Sequence, residues 1–224
     1  MPELCKTPAP ACVDDLAGAA PALLPDPENK ADYVTKAHSG LRSSLLTPLT
    51  SERLMLLPLG AEHREALRAA CALDGDIWQI YPVSYAPDQF DASFDALLAS
   101  ANRLPFAIFQ DDRLIGMTAY LRIEEAAQTL EIGNSYIVPT YRGTGINGAM
   151  KGLMIDHAFA AGFRRIEFRV DVRNARSQAA VRKIGAVQEG LLRAERITWN
   201  GHVRDTCLFG LLAQDWAAVP APLP

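Results

Sequence analysis

A mixed α/β fold of the α+β kind, with a mostly antiparallel sheet of six to seven strands flanked by helices, is predicted by three stretches of this 224-residue chain. From 106 to 138, three runs of alternating apolar and polar residues succeed one another across short turns, as consecutive antiparallel strands do. From 138 to 185 come a strand end, a glycine-bearing loop, a helical stripe, an alternating run and a second helix. Near the C-terminus, Asn200-Gly201 stands between two apolar and polar runs, a strong short-range hairpin signal because both residues accept positive φ.

The first 47 residues are expected to be a flexible extension. Pro2, Pro8, Pro10, Pro21, Pro25 and Pro27 break them up, and no sustained apolar period offsets the entropy of ordering, although Leu16, Leu23 and Leu24 form a patch able to dock. A domain over 48–217 and a short tail over 218–224 complete the expected organisation. Within the domain, 52–59 reads as a strand, 62–73 as a helix, and 87–101 as a helix with Phe90, Phe94, Leu97 and Leu98 inward. Strands over 106–110, 114–123 and 129–138 follow, the first two joined at Asp111-Asp112-Arg113. A helix over 149–161 places Met150, Leu153, Met154, His157 and Ala158 at three- and four-residue steps and stops at Gly162. His157 on that stripe reads as a core residue holding one hydrogen bond. A strand over 165–170, a helix over 174–184 ending at Gly185, and a hairpin of 187–199 with 202–212 close the chain.

Composition excludes several classes. With 49% hydrophobic and 21% charged residues, the chain can bury a real core in one domain. A net charge of −4 gives no reason to expect nucleic acid or an anionic membrane as partner. Cys5, Cys12, Cys71 and Cys207 make no Cys-x-x-Cys pair and read as free thiols, and no apolar stretch reaches membrane-spanning length or forms a secretory signal, so the cytoplasm is the expected compartment.

The segment 138–147, VPTYRGTGIN, reads as an anion seat. An apolar strand runs into Arg142, Gly143 and Gly145 and then a helix, so that loop amides and the orphan amides of the first helical turn point the same way. The glycines take positive φ and let a ligand close on the backbone, Arg142 supplies a permanent positive charge, and Asn147 has the side chain of an N-cap. The loop lacks the Gly-Lys-Ser/Thr ending of a P-loop and the Gly-x-Gly-x-x-Gly spacing of a dinucleotide site.

Arg142-Gly143-Thr144-Gly145-Ile146-Asn147 resembles the Arg/Gln-x-x-Gly-x-Gly/Ala loop of the GNAT superfamily of N-acetyltransferases, with Asn147 where Gly or Ala is usual. Asn174-Ala175-Arg176-Ser177, followed by Lys183-Ile184-Gly185-Ala186, is similar to that superfamily's second motif helix. Ser51-Glu52-Arg53-Leu54, the helix end over 177–186 and Arg204-Asp205 resemble its RimJ/RimL-type branch, and the likeness runs over 49–216.

The resemblance implies a sheet splayed between its fourth and fifth strands, acetyl-CoA as cosubstrate, no metal, and direct attack of a primary amine on the thioester within a ternary complex. The acceptor would be a protein N-terminal amine or a small-molecule amine. It also implies residue roles. Arg142, Gly143, Thr144, Gly145, Ile146 and Asn147 would hold the pyrophosphate, Asn174 the pantetheine arm, and a backbone N–H near Ile137 or Val138 the oxyanion. Glu131 is the candidate general base. Ser177 meets the departing sulfur, because Val181 stands where many relatives carry a Tyr. Asn134 and Tyr136 line the acceptor cleft, unless Tyr136 fills the core with its hydroxyl capped. On local grounds alone, Asn174 reads first as only an N-cap and Ser177 as a solvated first-turn residue. Two other readings stay open: a non-catalytic CoA-binding module indifferent to Glu131 and Ser177, and a structural domain that forms a homodimer through 187–212 and binds no CoA.

Overall fold

The computed structural model describes residues 40–218. Residues 1–39, with Leu16, Leu23, Leu24, Cys5 and Cys12, and the tail 219–224 lie outside the described residues. The folded unit reaches further back than the expected start at 48. A short helix, α1 (Leu41–Leu45), buries Leu45 completely and packs Leu41 on the core. His157 Nε2 donates to the Ser44 carbonyl at 3.0 Å and lies 3.3 Å from Thr47 Oγ1, so the side chain expected to hold one internal hydrogen bond pins this segment to the domain.

Eight strands form one sheet in the order β1-β2-β3-β4-β5-β6-β8-β7. They are β1 (Leu49–Thr50), β2 (Met55–Pro58), β3 (Arg103–Gln110), β4 (Arg113–Glu124), β5 (Thr129–Ile137), β6 (Arg165–Asp171), β7 (Val187–Ile197) and β8 (Val203–Leu212). The count exceeds the expected six to seven because the two-residue β1 folds back on β2 across Ser51 to Leu54, where Ser51 N donates to the Leu54 carbonyl at 2.8 Å. All pairings are antiparallel except β5 with β6. The crossover between those two is α4 (Ile146–Ala160), and α5 (Ala175–Lys183) links β6 to β7.

Helices cover both faces. On one lie α2 (Arg64–Cys71) and α3 (Phe90–Leu98), joined through a 3-10 turn over Asp76–Ile80. Arg68 bonds Asp91 at 2.6 Å and Arg64 bonds it at 2.9 Å across their exposed sides, but exposed pairs contribute little, and the interior of this layer is held by Leu67, Phe90, Phe94 and Leu97. On the other face α4 buries Met150, Met154, Ile155 and Ala158, and the Tyr120 hydroxyl donates to the Met154 carbonyl at 2.7 Å. A last helix, α6 (Ala213–Ala217), fastens the C-terminal end by Trp216 Nε1 donating to Asp156 at 2.6 Å.

Two irregularities shape the middle of the sheet. Opposite Thr118, β5 inserts both Asn134 and Ser135, with Asn134 at φ 51°, which makes a bulge and switches the facing of the later residues of the strand. Beside it, β5 and β6 pair only over Thr129–Glu131 and Arg165–Glu167, and then separate. Because Leu45 is fully enclosed, Leu45→Ala is expected to destabilise the domain by about 2–5 kcal/mol in urea titration. A change below about 0.5 kcal/mol would show that α1 is not part of the cooperative unit.

Candidate active site

The glycine loop runs from β5 into α4 with free amides, and two of its residues, Asn147 and Arg142, are placed otherwise than expected. After β5 a 3-10 turn over Pro139–Tyr141 leads into Gly143 and Gly145, at φ 80° and φ 90°. Gly145, in the left-handed region, is the N-cap of α4. Asn147 is therefore not the cap. It lies inside the first turn and contributes its amide. Among the described residues, no carbonyl or side chain accepts from the backbone N–H groups of 143 to 148, and the first helical bond of α4 is Ala149 N to the Gly145 carbonyl at 3.0 Å. A Cβ placed at Gly143, Gly145 or Gly148 would meet nothing within 4 Å, so open space lies beside those amides. Ile146 anchors the turn by burying its side chain.

Arg142 does not offer its charge to this seat. Its Nε donates to the Ile137 carbonyl at 2.8 Å, its Nη1 pairs with Asp74, and its guanidinium lies 5.6 Å from the centre of the Tyr136 ring. The side chain thus braces the loop from below, and Asp74 neutralises it.

Where β5 leaves β6, a cavity of about 150 Å³ opens. Glu131, Asn134, Asn174 and Ser177 line it together, although they come from β5, the bulge and the start of α5. Asn174 is the N-cap of α5, its Oδ1 accepting from Ser177 N at 3.0 Å, and it lines the cavity as well. The alternatives that the sequence left open are thus compatible. One carboxamide oxygen fixes the helix while the amide nitrogen remains available.

Three expected residues are not placed as the sequence suggested. Tyr136 is 1% exposed, its hydroxyl donates to the Ala70 carbonyl at 2.8 Å, and its ring packs on Trp78, so it is a core residue and not part of the acceptor cleft. The Val138 amide is consumed by the Ile115 carbonyl at 2.9 Å and cannot hold an oxyanion. Ile137 lies opposite Gly116 with its backbone groups turned away from β4 and its carbonyl held by Arg142, and neither residue lines the cavity. The irregular backbone falls earlier, at Asn134 and Ser135, and these two do line it.

Strand alternation divides the cavity wall by face. Register places Arg103, Leu121, Glu131 and Glu167 in one cross-strand row, with Arg169 and Asp171 further along the same face of β6. Glu131 is 6% exposed, with its Oε2 3.1 Å from Arg122 Nε and 3.6 Å from Arg169 Nε. Burial pushes its pKa up, Arg122 and Arg169 pull it down, and burial prevails, so the carboxylate is more basic than an ordinary one. The opposite face carries Phe168 and Phe209, which are register partners. Lys151 Nζ of α4 lies 5.4 Å from the first ring and Arg182 Cζ of α5 lies 5.0 Å from the second, so both helices cover this side.

Lys151 is the residue that sequence reading missed. It is 5% exposed, lines the cavity, and has no acidic partner among the described residues. Burial pulls its pKa down from 10.5 to about 8. A signal was available: Lys151 sits three and four residues before Met154 and Ile155, on the buried side of α4, where a cation is out of place. Tyr81 is a second residue outside the expected set that shapes the site. Its hydroxyl donates to the Ser135 carbonyl at 2.6 Å and holds the bulge, while Trp199 Nε1 donates to the Trp78 carbonyl at 2.8 Å and draws the β7–β8 turn over the cavity rim.

The buried lysine has a measurable signature. Its ammonium titrates near 10.4 in the unfolded chain but near 8 in the folded one, so below pH 8 the fold carries the full cost of a dry charge, and that cost vanishes as pH rises from about 8 to 10.5. Lys151→Met is therefore expected to raise stability at pH 7 by roughly 1–3 kcal/mol, with wild type catching up as the medium is made alkaline. A difference independent of pH over that window would show that Lys151 is not charged in a dry site.

Residues 53–187 match the family described as "Acetyltransferase (GNAT) domain". A probable GNAT-family acetyltransferase from Chromobacterium violaceum ATCC 12472 is similar in structure, with TM-score 0.72 and 30% identity over 77% of this chain and 89% of that one. Mycobacterium smegmatis RimJ in complex with CoA-disulfide shares the fold, with TM-score 0.68 and 23% identity over 80% and 91% of the two chains. The ribosomal-protein-serine acetyltransferase of Escherichia coli (strain K12) is 33% identical over 89 residues, 39% of this chain and 49% of that protein, so the match spans about half the length of that curated relative. The chain belongs to the GNAT acetyltransferase-domain family.

Proposed function

We propose that this protein transfers the acetyl group of acetyl-CoA to a primary amine, by direct attack within a ternary complex. The observation that carries the reading is the row of six free amides from 143 to 148 at the N-terminus of α4, the helix whose Lys151 lines the cavity that opens through the sheet. Amides and helix dipole together fit a diphosphate without a side-chain cation. Acetyl-CoA would supply an activated acyl thioester. The protein supplies position and proton movement. The Asn174 amide nitrogen would hold the pantetheine arm while its oxygen caps α5. Glu131, desolvated and more basic than usual, would take a proton from the ammonium directly or through water, which suits an α-amine already partly neutral near pH 8.

At the departing sulfur, two groups stand on the helical side of the cavity. Ser177, whose hydroxyl makes no hydrogen bond among the described residues, offers a donor. Lys151, with a pKa of about 8, can give up a proton near neutral pH as thiolate character develops. Val181, buried on the same wall, leaves room where a bulkier side chain would reach in. An N-terminal amine of a ribosomal protein is one acceptor class consistent with the name of the Escherichia coli relative, and a small-molecule amine is the other. No helix of the described residues is long and apolar enough to cross a membrane.

Gly145→Asp is expected to weaken acetyl-CoA binding by roughly tenfold or more relative to Gly145→Asn in calorimetric titration. Both residues tolerate the left-handed region, so the comparison isolates the charge. Equal affinities would remove the diphosphate from this loop. Asn174→Ser, which keeps a cap, is expected to melt within a few degrees of wild type yet raise the KM for acetyl-CoA, whereas Asn174→Ala additionally loses about 1 kcal/mol of stability. Ser177→Ala is expected to lower kcat by roughly tenfold with little change in either KM, and unchanged single-turnover chemistry would rule out its role.

A further inference from the structure

The half of the cavity facing α2 and the β7–β8 hairpin carries a charge excess that CoA does not explain. Four guanidiniums, of Arg103, Arg169, Arg196 and Arg204, line it against two carboxylates, of Glu131 and Asp171. The chain as a whole has net charge −4, so this local sign is opposite to the global one. Both lining carboxylates are already committed. Asp171 accepts from Arg173 at 2.7 Å and 3.0 Å, and Glu131 is held by Arg122 and Arg169. Arg196 bonds Glu195 at 2.7 Å and 3.0 Å.

Three donor groups are left over. Arg103 forms no ion pair and no side-chain hydrogen bond among the described residues, although it sits in the row that continues through Leu121 to Glu131. Arg204 is 3% exposed. Its Nη2 donates to the Arg169 carbonyl at 3.0 Å, but its Nε has no hydrogen-bond partner and lies 3.8 Å from Asp171. Arg169 is paired at its outer end, Nη2 donating to Glu167 at 3.0 Å and Nη1 lying 3.8 Å from Glu195, but its buried Nε, 3.6 Å from Glu131, makes no hydrogen bond. Buried guanidinium N–H groups are normally satisfied, and guanidiniums match carboxylates in a two-pronged geometry that an ammonium cannot reproduce. The pantetheine arm is uncharged, and the phosphates have their own seat at 143–148, so the ligand that answers these groups enters from the acceptor side.

We propose that the acceptor amine carries a carboxylate close to the nitrogen that is acetylated, and that Arg103, with the free edges of Arg169 and Arg204, holds it. The inference rests on the acetyl-transfer reading for the identity of the amine, but not for the binding of the anion. Amino acids and peptide N-termini followed by an acidic residue both present this chemistry, whereas a polyamine brings only positive charge to a wall that is already positive.

The test uses matched pairs: a panel of free amino acids with their carboxamides, and tripeptides with Asp or Glu at the second position against Asn or Gln. Each is titrated calorimetrically into the full-length protein loaded with CoA, and each is assayed with acetyl-CoA by thiol release. The acid of at least one pair is expected to bind and turn over at least tenfold better than its amide. The pair that responds tells a small molecule from a peptide. In Arg103→Gln that preference should collapse towards one, and in Arg103→Lys part of it should survive. If acid and amide bind equally, or spermidine outcompetes both, the proposal is overturned whatever the turnover. If the acid binds selectively but no acceptor releases thiol, the carboxylate site stands and the acetyl-transfer reading fails.

Discussion

The parting of β5 from β6 is the constraint on which the site depends. A sheet interior normally spends every backbone amide and carbonyl on its ladder, leaving no passage between strands. Here the two central strands pair only through Glu131 and Glu167 and then follow different neighbours. β5 stays with β4, since the Val138 amide still reaches the Ile115 carbonyl, whereas β6 stays with β8 as far as Asp171 opposite Thr206. The bulge at Asn134 and Ser135 lets β5 bend away without breaking from β4, and the Tyr81 hydroxyl secures the bulged carbonyl of Ser135. The gap is thus maintained by bonds on both flanks and does not require a ligand to hold it open.

A gap of this kind exposes charged rows that would otherwise be packed, and the protein manages them by pairing. Glu131 touches guanidiniums from β4 and β6, and a second bulge, which sets Arg122 at φ 46°, turns that arginine towards it. Removing either cation would leave a buried carboxylate with only one partner, so these arginines have a structural part as well. The helical side follows the opposite policy. Lys151 is left with an aromatic ring and the cavity, and its lowered pKa is the consequence.

Much of this was legible in the chain. The hairpin at Asn200-Gly201, the glycine loop before α4 and the Asn-led helix declare themselves because their signals lie within a few residues: a turn glycine at positive φ, glycines before a periodic run, a cap three residues before its bonded amide. What was misread depends on distant partners or on a break in counting. Strict alternation puts Tyr136 on the face opposite Glu131, but the extra bulge residue reverses it, so that Tyr136 opposes Met117 and points under α2. The neutralisation of Arg142 could not be read locally, since Asp74 is 68 residues away. The early start of the folded unit was hidden because α1 has five residues and owes its order to Leu45 and His157, not to any helical period of its own.

The misread arginine explains why the amides are free. A loop with two left-handed glycines and six unspent N–H groups should be mobile, because nothing in its backbone bonding fixes it. Its carbonyls and its one cation are instead tied from beneath. Arg142 holds the Ile137 carbonyl and Asp74, Thr144 Oγ1 donates to the Tyr141 carbonyl at 2.8 Å, and buried Ile146 fixes the first turn of α4. The Ile137 and Tyr141 carbonyls, which flank the loop amides, are thereby given other donors. Rigidity and availability come from the same set of bonds, so an anion arriving at 143–148 meets donors already aligned and gives up little ordering entropy in recruiting them.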